Sequence, residues 1–157
     1  MDPVTISEEV SSNVEAGRMF KALIIDAQNL IPKLMPQAIK NIQLLQGDGG
    51  PGSIQELTIV EGSETKQLKH RIDAIDKENL TFSYSVIEGD NKVESVSHDL
   101  KFEPIAEGGF KSKSVTKFYP KQGVEIKEED IKASKEESLA VFKVVEAYLV
   151  ANPQAYA

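Results

Sequence analysis

Four polar side chains could do chemistry together if the fold brings them into one cavity: Tyr84, His98, Lys113 and Glu137. A phenol, an imidazole, an amine and a carboxylate can exchange protons with a substrate or form an imine with a carbonyl compound. The same four groups could equally hold the polar edge of a bound ligand. No Ser-His-Asp set can be assembled from the sequence, so acid–base catalysis and simple binding both stay open.

The two histidines of the chain, His70 and His98, fall on different predicted strands and have no i, i+4 partner on a helix. The chain also contains no cysteine, and zinc sites are built mainly from His and Cys ligands. We therefore expect neither a metal site nor a cofactor. Since His98 lies between Val96 and Leu100, we expect a hydrogen-bonded pocket residue, with proton transfer as the alternative role.

A glycine-rich stretch, GDGGPGSI at 47–54, contains Gly47, Gly49, Gly50 and Gly52. It superficially fits the G-x-G-x-x-G pattern, but a dinucleotide-binding loop must open a helix whose first amides meet the phosphates. Here predicted strands flank the loop on both sides. A Walker loop would need Lys directly after the last Gly, where Ser53 stands. We expect a rigid turn with several positive φ angles.

Length and charge limit the class of protein. A chain of 157 residues with no cysteine is expected to fold as one domain, residues 1–157, without disulfides. Its net charge of −7 disfavours nucleic acid, whose phosphates attract clustered Lys and Arg. The first residues lack the pattern of a signal peptide, and no apolar run is long enough to span a bilayer. We expect a cytoplasmic monomer that does not insert into membranes.

The segment 127–151 is predicted to be a helix whose two halves differ. In the second half, apolar residues such as Val145 and Leu149 recur at helical spacing, which is typical of a face packed against a sheet. In the first half, the same face carries Ser134 and Glu137. Because a helix that closes a dry core needs apolar cover, the first half is predicted to lie over a cavity or solvent.

Strand patterns divided by short turn signals fill most of the remaining chain. They predict strands at 4–10, 38–45, 53–60, 65–75, 80–87, 92–104 and 111–119, with two short helices between the first and second strands. The short separators favour antiparallel connections. Such a sheet must bury one face, and the C-terminal helix is the only long apolar element left. We predict an α+β fold.

Side-chain alternation predicts which strand residues face the helix, and many of them are polar. The predicted inward set is Leu57, Ile59, Thr65, Gln67, Lys69, Phe82, Tyr84, Val86, Val96, His98, Leu100, Phe102, Lys113 and Val115. An unsatisfied buried polar group costs about 1–3 kcal/mol, so this set implies water or a ligand beside it. The alternative is a one-residue error in the phase of one or two strands, which would move these groups outside.

Several strings in the sequence resemble one known family over the whole chain. Besides the glycine-rich stretch, they are RMFKA (18–22), NLIPK (29–33), PQA (36–38), YSVIEG (84–89), KASKE (132–136) and EAYL (146–149). Together and in this order, they resemble the plant intracellular pathogenesis-related class 10 proteins, which include the major birch-pollen allergen. The resemblance implies the helix-grip (START-like) fold, a seven-stranded antiparallel sheet wrapped around a long C-terminal helix, with a large cavity between them.

The resemblance also implies a function in plant defence or stress, because members of the family bind amphipathic metabolites such as cytokinins, flavonoids and sterols. Carried over by position, it implies a ligand site lined by Leu23, Ile24, Gln28, Ile31, Ile39, Ile59, Thr65, Gln67, Phe82, Tyr84, Leu100, Phe102, Lys113, Val115, Ser134, Glu137 and Val141, to which we add His98. Thr65, Gln67 and Glu137 would make this pocket more polar than usual, which favours a ligand with hydroxyls or a cationic nitrogen. An enzyme of alkaloid-type metabolism and a weak ribonuclease are the alternatives.

Overall fold

The computed structural model describes residues 2–89 and 92–157, and within them seven antiparallel strands form one sheet. The strands are β1 (Val4–Ser12), β2 (Ile39–Gln46), β3 (Ile54–Glu61), β4 (Glu64–Asp76), β5 (Thr81–Glu88), β6 (Val93–Pro104) and β7 (Phe110–Pro120). Their order across the sheet is β1-β7-β6-β5-β4-β3-β2, so β2 to β7 form a meander and β1 pairs with β7. The predicted α+β class and antiparallel sheet are confirmed.

Turn residues define the ends of the strands. Each strand from β2 to β7 begins and ends within one residue of its predicted limits. Gly62 and Gly108 adopt φ angles of 62° and 100° between neighbouring strands, a conformation that glycine reaches at little cost. Register shifts interrupt the pairing of β2 with β3, β4 with β5, and β6 with β7. Such irregularities bend a sheet, which suits one that curves around a helix.

Two short helices lie between β1 and β2, as predicted. The first, α1 (Ala16–Phe20), continues into a π-helical turn, Lys21–Ile25, and is followed by α2 (Ala27–Leu34). The π-helical turn closes with a hydrogen bond of 2.8 Å from the Asp26 amide to the Lys21 carbonyl. The long C-terminal helix, α3 (Glu128–Ala151), begins one residue later than predicted.

The core lies under the second half of α3. Phe142, Val145 and Leu149 are its buried residues, and no residue of the helix before Val141 is fully buried. Aromatic rings continue this core into the sheet and α1: ring-centroid distances are 6.0 Å for Phe20–Phe102, 4.6 Å for Phe102–Phe110 and 6.1 Å for Phe110–Phe142. The predicted difference between the two halves of the helix is therefore present in the structure.

Arg18 fastens the C-terminal end of α3 to α1. Its guanidinium donates hydrogen bonds to the carbonyls of Leu149, Asn152 and Ala155, with lengths of 3.1, 2.8 and 3.0 Å. The first two carbonyls belong to the end of the helix and the residue after it, where a cation is favoured by the helix dipole. A second link joins the tail to the helices, since the Tyr156 hydroxyl donates to an Asp26 carboxylate oxygen.

The glycine-rich loop between β2 and β3 adopts the expected positive φ angles at Gly47 (90°), Gly49 (98°) and Gly52 (88°). Ser53, at the end of the loop, is 1% exposed, and its Oγ accepts a hydrogen bond of 2.9 Å from the Gly49 amide. The Gly52 amide donates to the Ile72 carbonyl at 2.7 Å, which ties the loop to β4. The loop is a well-bonded turn between two strands.

We expect Gly47→Ala to destabilise the protein more than Gly49→Ala. A Cβ in the left-handed region costs about 1–2 kcal/mol at either position. At Gly47 the new Cβ would also overlap Ser53 Oγ and lie 2.9 Å from Ser53 Cα, whereas at Gly49 no atom of the described residues lies within 4 Å. The additional cost should be about 1 kcal/mol or more. Urea unfolding measures it, and equal midpoints for the two variants would contradict the packing around Ser53.

Candidate functional site

A cavity of about 530 Å³ lies between the inner face of the sheet and the first half of α3. On the helix side, its wall is formed by small or polar residues together with Val141. The helix residues that line it are Asp130, Ala133, Ser134, Glu137, Ser138, Ala140 and Val141. Ile131 and Leu139 belong to this half of the helix but do not line the cavity, so no large apolar side chain before Val141 fills the space.

Four polar side chains cross the sheet wall of the cavity from β4 to β7; we call His70, Tyr84, His98 and Thr116 the polar row. Tyr84 pairs directly with His98, and His98 pairs with Thr116. The His70 ring stacks on Tyr84 at a centroid distance of 4.7 Å and an angle of 17°, and Tyr84 lies 5.1 Å from His98. His98 Nδ1 lies 2.7 Å from Thr116 Oγ1, which is a hydrogen bond.

The ionisable members of the polar row are uncharged near neutral pH. Burial lowers the pKa of His70 to about 4, and the neighbouring His98 adds to this effect. Burial also lowers the pKa of His98, although Asp99 opposes the shift, and burial raises the pKa of Tyr84 to about 12. The common cause is loss of water around the charged form. The row therefore offers hydrogen bonds without charge.

Several polar atoms of this row have no hydrogen-bond partner among the residues that the structure describes. These are the Tyr84 hydroxyl, the ring nitrogens of His70 and Nε2 of His98. Within the same part of the chain, no buried side-chain nitrogen or oxygen lacks a hydrogen bond. These atoms are therefore accessible rather than sealed in the wall. They face open space, where water or a ligand can satisfy them.

Charged groups of the cavity lie in ion pairs, with one exception in the described residues. Lys66 Nζ lies 3.8 Å from Glu61, and Lys92 Nζ lies 2.8 Å from Asp130. The second pair joins β6 to the start of α3, and the hydrogen bond from Lys92 is the main cause that lowers the pKa of Asp130. Within residues 2–89 and 92–157, Glu137 is a cavity carboxylate that forms no ion pair.

The predicted ligand-site residues divide into three groups. Seven of them line the cavity: Ile39, Ile59, Tyr84, His98, Ser134, Glu137 and Val141. Six belong to the core or pack against it instead: Leu23, Ile24, Ile31, Phe82, Leu100 and Phe102. The remaining residues, Gln28, Thr65, Gln67, Lys113 and Val115, do not line the cavity. Gln28 is exposed on α2.

The predicted phase of β4 is wrong by one residue. Lys66, Leu68 and His70 line the cavity, so Thr65, Gln67 and Lys69 between them point to the outer face. Leu68 is the only aliphatic residue from 64 to 71, and long polar side chains stand on both faces of the strand. This weak contrast between the faces is why alternation alone gave the wrong phase.

The predicted phase of β7 is wrong for a similar reason. Thr116 and Phe118 line the cavity, which places Val115 on the outer face opposite Asp99. Lys113 shares that outer face and forms an ion pair of 3.2 Å with Glu103. Val115 is the only aliphatic residue of the strand and suggested the wrong phase.

The candidate chemical set therefore does not assemble as predicted. Tyr84, His98 and Glu137 line one cavity, but Lys113 lies on the other side of the sheet. The prediction also missed His70 and Thr116, which complete the polar row. The phase of β6 was predicted correctly. Because His98 faces inward and Thr116 is its partner in the neighbouring strand, pairing β7 with β6 across their short connection could have identified Thr116.

The sequence profile of the Pathogenesis-related protein Bet v 1 family matches residues 1–152. The chain belongs to this family. It is 46% identical to Major allergen Pru ar 1 of Prunus armeniaca over 159 aligned positions, with 99% of each chain covered. It is 45% identical to Major strawberry allergen Fra a 1.08 of Fragaria ananassa over the same length and coverage. The family resemblance predicted from the sequence is confirmed.

Solved structures show the same Bet v 1 fold. The crystal structure of Ara h 8.0201 is similar with a TM-score of 0.89 and 36% identity, covering 96% of this chain and 99% of that one. Norcoclaurine synthase from Thalictrum flavum, solved with dopamine and hydroxybenzaldehyde, has a TM-score of 0.71 and 22% identity, covering 96% of this chain and 90% of that one. The second likeness shows the fold alone. In the described part of the chain, no helix is long and apolar enough to cross a membrane.

We expect the free energy of unfolding to fall as the pH drops from 6.5 towards 4. In this window the unfolded chain binds protons at His70 and His98, while the folded protein resists them because both pKa values are lowered. Well above pH 6.5 both histidines are neutral in the folded and the unfolded chain and cost no stability. Below it, the free energy of unfolding falls by up to about 1.4 kcal/mol per pH unit for each histidine. Urea unfolding between pH 7 and 4.5 measures the slope. His70→Phe should flatten it, and an unchanged slope would contradict the assignment to His70.

Proposed function

We propose that this chain binds an amphipathic small molecule in the cavity and acts as its carrier, store or sensor. The observation that carries the proposal is the uncharged polar row, whose unpartnered atoms face a cavity of about 530 Å³. Ligand sites of about 300–1,000 Å³ typically combine apolar walls with a few polar groups that orient the ligand. The cavity has this composition.

The apolar share of the wall supports the same proposal. Ile59, Leu68 and Phe118 lie on the sheet side, where they can remove a ring or aliphatic skeleton from water. Removal of apolar surface from water contributes about 25 cal/mol per Å². Cytokinins, flavonoids and sterol-like metabolites combine such a skeleton with hydroxyl, carbonyl or amine groups. We propose these classes of ligand, a role in plant defence or stress, and a cytoplasmic location.

A condensing enzyme has weaker support than a binding protein. The amine proposed for imine chemistry, Lys113, is paired with Glu103 on the outer face of the sheet. The amines that do line the cavity, Lys66 and Lys92, are paired with carboxylates. Ribonuclease activity has weaker support as well, because the net charge of −7 disfavours RNA.

Filling the cavity from the helix side should weaken binding. Ser134→Phe places a ring in the space beside a half-buried cavity residue, whereas Lys135→Phe adds the same ring to an exposed residue that does not line the cavity. We expect Ser134→Phe to weaken binding of the neutral dye Nile red at least about ten-fold, because the ring occupies volume that the dye needs. Lys135→Phe should bind the dye as the wild type does.

Fluorescence titration measures the dye affinity, and displacement by a cytokinin or a flavonoid tests the ligand class. Circular dichroism shows whether both variants fold. Equal dye affinity in Ser134→Phe and Lys135→Phe would place the binding site elsewhere. A dye that binds but is displaced by neither metabolite class would contradict the ligands that we propose.

A further inference from the structure

Among the described residues, the cavity contains no lysine without a carboxylate partner. Both lysines that line the cavity have carboxylate partners, Glu61 for Lys66 and Asp130 for Lys92. Glu137 adds a carboxylate without an ion pair on the helix side. An anionic ligand would have to displace one of these carboxylates to gain a counter-ion, and Glu137 would repel it.

The polar row instead presents matched donors and acceptors. In the hydrogen bond between His98 Nδ1 and Thr116 Oγ1, either group can donate. If Nδ1 carries the proton, Nε2 is an acceptor; if Thr116 donates, Nε2 carries the proton and is a donor. The accessible Tyr84 hydroxyl can also donate and accept. A partner that both donates and accepts, such as a hydroxyl group, fits this row in either state.

The row also offers aromatic contacts to a bound ring. His70, Tyr84 and His98 are aromatic neighbours, and the first two are nearly parallel at 17°. Aromatic rings prefer offset-stacked or edge-to-face contacts with such surfaces. A planar ligand can therefore contact the rings while its hydroxyl reaches the unpartnered atoms.

We propose that the polar row is the specificity-determining part of the cavity, and that it selects an uncharged hydroxyl-bearing ring over the corresponding carboxylate and over the bare hydrocarbon. This inference rests on the proposed function. The carboxylate is disfavoured because it meets Glu137 and, in the part of the chain that the structure describes, no unpaired lysine. The hydrocarbon is disfavoured because it displaces water from the row and leaves the polar atoms without partners.

Three probes of one shape test the selection: 2-naphthol, 2-naphthoate and naphthalene, each used to displace Nile red at pH 7. We expect 2-naphthol to bind about ten-fold tighter than either of the others. Tyr84→Phe and His98→Phe keep an aromatic ring in the row but remove polar atoms. Each should weaken 2-naphthol about three- to ten-fold, the range of one net hydrogen bond. Neither should weaken naphthalene, because the polar atoms that the hydrocarbon leaves without partners have been removed.

Gln67→Leu is the matched control, because Gln67 lies on the outer face of β4 between two residues that line the cavity. It should change the affinity for none of the probes. If 2-naphthoate binds as tightly as 2-naphthol, or if both row variants retain the wild-type preference, the inference is wrong while cavity binding stands. If neither the dye nor any probe binds, the proposed function fails with it.

A cationic probe separates the polar row from Glu137 as the source of selection. If 2-naphthylmethylamine binds more tightly than 2-naphthol and Glu137→Gln removes that preference, recognition belongs to the helix carboxylate and the inference is overturned. We expect the amine to bind more weakly than 2-naphthol, both in the wild type and in Glu137→Gln.

Discussion

The packing of Phe142, Val145 and Leu149 into an aromatic core is the interaction on which the rest of the structure depends. It holds one half of a 24-residue helix against the curved sheet, and the bonds from Arg18 fix the end of that half. The other half carries no fully buried residue and is held at its start by Lys92 and Asp130. A rigid helix anchored mainly at one end must pass over the sheet, so the space beneath it stays open.

That open space determines the chemistry of its wall. Burial lowers the pKa values of two histidines and raises that of a tyrosine, so the polar row carries hydrogen-bonding atoms without charge. Among the described residues, the lysines and carboxylates of the cavity form ion pairs, except for Glu137. An uncharged polar surface facing a cavity suits the recognition of amphipathic molecules better than the binding of ions.

Much of the fold could be predicted because its signals are local. The strands were located within one residue from β2 to β7, since glycines and polar turns act over a few positions. The two halves of α3 were also distinguished, because apolar spacing along a helix is visible in one segment. The site was predicted less well. Residues such as Phe82 and Phe102 are apolar and inward-facing, yet they pack in the core rather than line the cavity.

The sequence by itself therefore determined the order of elements, the family and the existence of a poorly covered half of α3. Only the tertiary structure decided which faces of β4 and β7 look into the cavity, because a one-residue change of phase reverses a strand and the local pattern was ambiguous. Pairing with β5 and β6 resolved it, bringing His70 and Thr116 beside Tyr84 and His98 and sending Lys113 outside. The tertiary structure also makes the polar row uncharged. The pKa shifts of His70, Tyr84 and His98 come from burial, which exists only once the strands have assembled.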